Sequence, residues 1–228
     1  MTAEQWLVSA DDPTITCRAY VERLEQTSNP RHRRMLETVI EHDQAEAALD
    51  LERTMATLGP EPEYGRYWGT PYEAPQGRGA VRTFYQGLFS GGGIGNIRPE
   101  PRRLVVDDHA IVAEFTVTMI WPEWKARELG CQIADEAGHY ANQRPLTTVI
   151  PFDESLLMVG ETSYGGTSTW VRVPDNEVSP GYLAWVDRHL PQPNALTSEP
   201  QFPLSGGRPD HRTTRSPHKA TARRRDSR

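Results

Sequence analysis

The sequence predicts an α+β fold in which N-terminal helices cover one face of a curved antiparallel sheet. Up to residue 90, apolar residues recur at spacings of three and four, as they do on one face of a helix. After residue 100 the chain is rich in β-branched and aromatic residues separated by short turns. Because helices and strands are segregated along the chain, we expect an antiparallel sheet with helices on one face.

Composition divides the chain into a compact part and a tail. Residues 191–228 contain Pro, Ser, Thr, Gly and Arg with almost no large apolar residue, so we predict a disordered basic tail. Residues 207–228 carry eight Lys and Arg against two Asp, a net charge of +6; with −6 for the whole chain, the remainder carries −12. An acidic body argues against a nucleic-acid groove.

The first half of the chain is predicted to be helical. Residues 1–29 form a helical extension that contains the start signal Asp12-Pro13. The main helix is predicted from Pro30, with Asn29 as its N-cap, to about Ala48. A short helix capped by Asp50 follows and ends at residue 58, before Gly59-Pro60.

The second half is predicted to be mostly strands. The predicted elements are a short strand at residues 63–68, a helix at 79–90, hairpins of 104–106 with 111–117 and of 146–152 with 156–164, a strand at 167–173, and a helix at 181–190. Residues 122–145 are charged and lack strand periodicity, so we interpret them as an insertion or lid within a domain spanning residues 30–190.

The main helix carries three polar residues inside or beside its apolar arc. His42 and Glu46 are four residues apart and can hydrogen-bond on a helix, and Asp43 lies beside them. A histidine oriented by a carboxylate is a competent general base near neutral pH. Alternatively, this edge of the helix is solvated, or the pair satisfies itself at the rim of the core. The spacing would also suit a metal, but no third ligand is evident.

Further candidates lie outside that helix. Aromatic residues beside the Gly/Pro-rich stretch can line a pocket for a flat apolar ligand, with phenol hydroxyls as donors. These candidates are Tyr64, Trp68, Tyr72 and Tyr85. Glu114 alternates with apolar residues, so it faces either the pocket or, as the apolar pattern favours, the outer surface. Glu161 is either a pocket carboxylate or an exposed strand residue. The pair Asp107-Asp108 is interpreted as a turn.

Four segments carry a resemblance to a known family. They are residues 50–58, 77–85, 107–115 and 151–164, and the likeness extends over about residues 30–173. In order and spacing they resemble the SnoaL-like branch of the nuclear transport factor 2 superfamily. The resemblance implies a cone-shaped α+β fold, often dimeric, and acid–base chemistry in an apolar pocket without a cofactor. The family commonly has an acidic residue two positions after the aromatic that matches Tyr164, where this chain has Gly166.

These observations support two functional hypotheses. In the first, the protein is an enzyme that cyclises, isomerises, dehydrates or hydrolyses a small hydrophobic molecule of polyketide, terpenoid or steroid type, with His42 as base or acid, Glu46 as its orienter and Tyr64 as donor. In the second, it is a non-catalytic ligand-binding or dimerisation module. We expect a homodimer, no cofactor, no metal and no membrane contact. Because Cys17 and Cys131 lack nearby cysteine partners, and no leader sequence is evident, we also expect a cytoplasmic protein.

Overall fold

The architecture is that of helices packed on a curved antiparallel sheet, so the predicted α+β class is confirmed. The computed structural model describes residues 3–65, 74–133 and 137–190. Its helices are α1 (Arg18–Gln26), α2 (Pro30–Ala47), α3 (Leu51–Ala56), α4 (Gly77–Ser90), α5 (Glu123–Glu128) and α6 (Pro180–His189). Its strands are β1 (Ile97–Val106), β2 (Ala110–Pro122), β3 (His139–Pro151), β4 (Thr162–Gly165) and β5 (Thr169–Val173). Short 3₁₀ helices cover Ala3–Trp6, Pro13–Ile15 and Asp175–Glu177.

The predicted start signals of the helices are present. The Asn29 side chain caps α2 by accepting from the amide of Arg31, and Pro30 occupies the first helical position. The Asp50 side chain caps α3 through the amide of Arg53. Asp107 accepts from two amides in the β1–β2 turn, so its assignment to turn chemistry is confirmed.

The strand β3 forms the middle of the sheet. Its whole length pairs with β2, while its other edge pairs with β5 over residues 139–143 and with β4 over residues 146–149. The sheet order is therefore β1-β2-β3-β4, with β5 beside β4 on the same edge of β3.

The predicted loop at residues 122–145 is wrong in part. Residues 139–145 belong to β3, and α5 occupies part of what remains. Residues 139–144 do not alternate between apolar and polar, so the sequence does not reveal this part of the strand. It is a strand because its backbone pairs with a neighbour on both edges.

The predicted hairpin of residues 146–152 with 156–164 also differs. β3 ends at Pro151 and the strand that pairs with it, β4, begins only at Thr162. The two predicted segments are still joined below β4, where Val159 N–H donates to the Pro151 carbonyl at 2.8 Å. Residues 158–161 also bind the segment after α3: Glu63 N–H donates to the Val159 carbonyl and Gly65 N–H to the Glu161 carbonyl, both at 2.7 Å.

Two apolar clusters hold helices against opposite faces of the sheet. The larger one packs α1 to α4 on the face formed by Ile111, Ala113, Phe115 and Val117 of β2. Beyond Val117 the buried face of β2 changes, and Ile120 packs with residues of α6 in the second cluster. Of the polar residues of α2, Thr38 and His42 are buried, while Arg34, Glu37 and Gln44 on the same helix are exposed.

Candidate functional site

His42 is a buried residue of α2, one of the four helices that pack on the sheet. Its side chain is only 2% exposed, and both ring nitrogens have partners. Nδ1 lies 2.7 Å from the Thr57 hydroxyl and Nε2 lies 3.0 Å from the Tyr85 hydroxyl. Helix α2 positions the ring, and the turn after α3 and the middle of α4 supply the two hydroxyls. The predicted helical histidine is thus a buried, hydrogen-bonded group.

A second phenol extends the chain of hydroxyl groups. The hydroxyls of Tyr85 and Tyr64 are 2.7 Å apart, and both side chains are buried. Tyr64 is held from its backbone, because its amide donates to the Pro75 carbonyl and its carbonyl accepts from the Gln76 side chain. His42, Tyr85 and Tyr64 therefore form one continuous hydrogen-bonded chain.

Glu46 is the ionic partner of His42. One carboxylate oxygen lies 3.3 Å from Nε2, and the Glu46 side chain is 14% exposed. Burial of the ring lowers the pKa of His42, but the Glu46 carboxylate outweighs this effect, with a smaller contribution from Glu161, so that the pKa is raised above its usual value. Such an imidazole can both hold and release a proton near neutral pH.

Two more carboxyl groups adjoin this pair. Burial and the negative charge of Glu46 raise the pKa of Glu161, opposed by His42 and by the Ser163 hydroxyl, which donates to Glu161 at 3.1 Å. Burial, with Glu46 and Glu161, raises the pKa of Asp43 well above its usual range. A shared negative charge among three carboxyl groups favours protonation of some of them.

The structure therefore brings together most of the predicted site residues. They are His42, Asp43, Glu46, Tyr64, Tyr85 and Glu161. Their assignment as catalytic or pocket residues stays a prediction. Trp68 and Tyr72 lie outside the described residues.

Glu114 is the predicted pocket residue that the structure places elsewhere. It pairs with Arg103 of β1 at 3.2 Å, and its side chain is 34% exposed. Its neighbours Ala113 and Phe115 point into the core with α1 to α4, so alternation turns Glu114 to the outer face. A pocket role for Glu114 is therefore wrong, and the outer-face alternative holds.

Sequence reasoning missed Thr57. Its hydroxyl binds His42 and donates to the carbonyl of Thr54 at 2.7 Å. The residue lies at the end of a short helix, where a threonine is ordinary, and the sequence carries no signal for a contact with a residue on the preceding helix. Only the packing of α3 against α2 reveals it.

At Gly166 the structure explains why an acid is absent from this position. The Gly166 amide donates to the Pro145 carbonyl at 2.9 Å. A Cβ atom there would lie 2.5 Å from Cγ of the Pro145 ring, closer than non-bonded carbons approach. Position 166 therefore has no room for a carboxylate unless Pro145 moves.

Other features of the described residues concern binding. Within them, no cluster of three or more His, Cys, Asp or Glu side chains is arranged to hold a metal ion. Pockets of about 300 Å³ and 110 Å³ lie elsewhere, and neither is lined by any of the site residues named above. Among the described helices, none is long and apolar enough to cross a lipid bilayer.

No protein-family model and no curated protein matches the sequence. Solved structures do match. A nuclear transport factor 2-like protein of unknown function from Burkholderia pseudomallei is 18% identical, with 58% of this chain and 91% of that one covered at a TM-score of 0.42. A Jannaschia protein named as a SnoaL-like polyketide cyclase is 13% identical, with 61% and 90% covered at 0.44.

A third match is a steroid delta-isomerase from Pseudomonas aeruginosa, 14% identical, with 61% of this chain and 85% of that one covered at a TM-score of 0.40. Identities and scores this low carry no argument about activity, which has to come from the site itself.

Proposed function

We propose that this protein is an acid–base enzyme acting on a small hydrophobic molecule, with His42 as the group that exchanges the proton. The observation that carries the proposal is the buried chain from His42 through Tyr85 to Tyr64, with Glu46 beside the imidazole. Burying such groups costs free energy, and apolar residues of similar size would often be as stable or more so. A function that needs a proton at this place accounts for their presence.

The geometry supports a role for each of these groups. Glu46 orients His42 and raises the pKa of its imidazole, and Tyr64 is the end of the chain most remote from His42, where a substrate oxygen would accept a hydrogen bond. The substrate class and the reaction follow the family resemblance: a polyketide-, terpenoid- or steroid-like molecule that is cyclised, isomerised, dehydrated or hydrolysed without a cofactor.

The alternative is a non-catalytic module of the same fold, and one observation favours it. His42, Tyr64 and Tyr85 are each at most 3% exposed, and the two pockets described above do not touch them. In this alternative, the buried polar groups only satisfy one another's hydrogen bonds inside the core.

Incubation with a small-molecule extract of the producing cells separates the two functions. Mass spectrometry compares the extract after exposure to the wild-type chain, to His42→Gln, and to the control His109→Gln, which alters an exposed turn residue. An enzyme depletes a compound and forms a new one with the wild type and the control, but not with His42→Gln. Identical profiles for all three proteins, each shown to be folded, contradict the enzyme proposal.

A further inference from the structure

The Thr57 hydroxyl contacts Nδ1 of His42, and its second hydrogen bond bears on which ring nitrogen carries a proton. A hydroxyl has a single proton to donate, and that of Thr57 points to the Thr54 carbonyl at 2.7 Å. Its oxygen then faces Nδ1 of His42, also at 2.7 Å, with a lone pair. Since the Thr57 oxygen acts as the acceptor here, Nδ1 is the donor in this contact.

We propose that Thr57 is a positioning residue that keeps the proton on Nδ1, so that His42 gains and loses its proton only at Nε2, toward Tyr85 and Tyr64. The assignment of the tautomer stands on the hydrogen bonds alone, while its use in proton transfer rests on the proposed function. Nε2 has two neighbours that can take its proton, the Tyr85 hydroxyl at 3.0 Å and the Glu46 carboxylate at 3.3 Å.

This arrangement allows a proton to leave His42 without changing the phenols. In the charged state Nε2–H donates to the Tyr85 oxygen, Tyr85 donates to the Tyr64 oxygen, and Tyr64 passes its proton to a bound molecule. When that molecule takes the proton, the Tyr85 proton moves to Tyr64 and the Nε2 proton moves to Tyr85. His42 has then lost one proton, the acceptor has gained it, and both phenols are neutral again.

A phenol that passes on a proton in this way has to be neutral itself. Burial, followed by the charges of Glu46 and other neighbours, raises the pKa of Tyr85 well above its usual value, so its hydroxyl stays protonated. The titratable groups around the imidazole are Glu46 on its own helix, Asp43 beside it, Glu161 from the sheet side and Tyr85 from α4. Of these, Glu46 and Tyr85 lie against Nε2, while Nδ1 faces the Thr57 hydroxyl.

Two-bond proton–nitrogen correlation spectra of the ¹⁵N-labelled full-length protein test the tautomer directly. In the wild type above the pKa of His42, Nδ1 should have the shift of a protonated nitrogen and Nε2 that of an unprotonated one. The opposite pattern in the wild type overturns the proposal, without the need for any variant.

Three variants test the role of the hydroxyl. Thr57→Val should give a mixture or the opposite tautomer, and should lower the pKa of His42, because the charged ring loses an acceptor. Thr57→Ser keeps the hydroxyl and should restore both readouts. Thr38→Val is the matched control, since Thr38 is buried on the same helix as His42 and donates to the Arg34 and Leu156 carbonyls. An unchanged tautomer and pKa in folded Thr57→Val contradict the proposal.

The spectra need no substrate, so their outcome is independent of whether the chain turns anything over. If the tautomer behaves as described but His42→Gln leaves the extract profile unchanged, the proposed function fails while the assignment of Nδ1 stands. If turnover depends on His42 but the wild type has its proton on Nε2, the positioning role of Thr57 fails alone.

Discussion

The Gly166 amide and the Pro145 carbonyl join the end of β4 to the middle of β3 through a 2.9 Å hydrogen bond. The same approach brings the Pro145 ring to within 2.5 Å of the place where a Cβ atom at position 166 would lie. A proline ring cannot swing aside as a long side chain can. The acid expected by resemblance at this position is therefore incompatible with this backbone.

Gly166→Asp should consequently destabilise the protein by about 1–3 kcal/mol, since the added carbon must displace the ring. Urea denaturation of the purified variants measures the effect. Gly79→Asp is the matched control, because a Cβ at Gly79 meets nothing within 4 Å and the new carboxylate lies near the start of α4. Equal losses in the two variants would show that the Pro145 contact is not the cause.

A side chain at position 160 should destabilise the protein more than one at position 166. A Cβ at Gly160 would lie 1.8 Å from the backbone oxygen of Glu63. Gly160→Ala must push the segment that carries Tyr64 away from the sheet, so we expect a loss of about 3 kcal/mol or more. Tyr64 should move with it, which a change in the ring signals of Tyr64 and Tyr85 in proton spectra would report. A folded variant with wild-type stability contradicts the close approach.

Loss of the Tyr85 hydroxyl should destabilise the protein more than loss of the Tyr64 hydroxyl. Tyr85→Phe leaves both His42 Nε2 and the Tyr64 hydroxyl without their shared partner, and should cost about 1–3 kcal/mol. Tyr64→Phe should cost less, because Tyr85 keeps its bond to His42. The exposed Tyr164 provides the control, and Tyr164→Phe should change stability little.

A double-mutant cycle of these two phenols measures their coupling. Once Tyr85 has lost its hydroxyl, the further change Tyr64→Phe should cost less than it does in the wild type, since the bond is already gone. Strictly additive losses of free energy of unfolding would mean that the two hydroxyls do not interact.

The pH dependence of stability should reveal the carboxyl group of Asp43. Burial raises its pKa, so the folded state holds the proton more tightly than the unfolded chain does. Between the unfolded and the folded pKa the native state binds more protons, and stability therefore falls as the pH rises through this window. The loss is about 1.4 kcal/mol for each unit by which the pKa is raised.

Asp43→Asn removes this cost and should make the protein more stable than the wild type at pH 7, with a much smaller difference at pH 4. Denaturation at both pH values measures it. Asp187→Asn, at an exposed position of α6, should show no such pH-dependent gain. A gain of the same size at both pH values for Asp43→Asn would contradict a raised pKa.

Local rules of the chain predicted the helices and several of their caps. Asn29 with Pro30, and Asp50, satisfy amides within three residues of themselves, so the sequence contains all that is needed to predict them. Alternation along one strand likewise favoured the outward orientation of Glu114. His42, Asp43 and Glu46 were recognisable as polar residues at apolar positions of a helix, which is again a local pattern.

Such local rules could not predict the contacts between segments that are distant in the sequence. The sequence alone determined the α+β class, the main helix and the polar residues that it carries, because each depends on periodicity or on neighbours a few residues away. Only the tertiary structure decided that Thr57 binds Nδ1, that Tyr85 and Tyr64 continue the chain from Nε2, and that residues 139–145 are a strand. Those features depend on how α3, α4 and the sheet edges pack around α2, and long-range packing leaves no short-range pattern in the sequence.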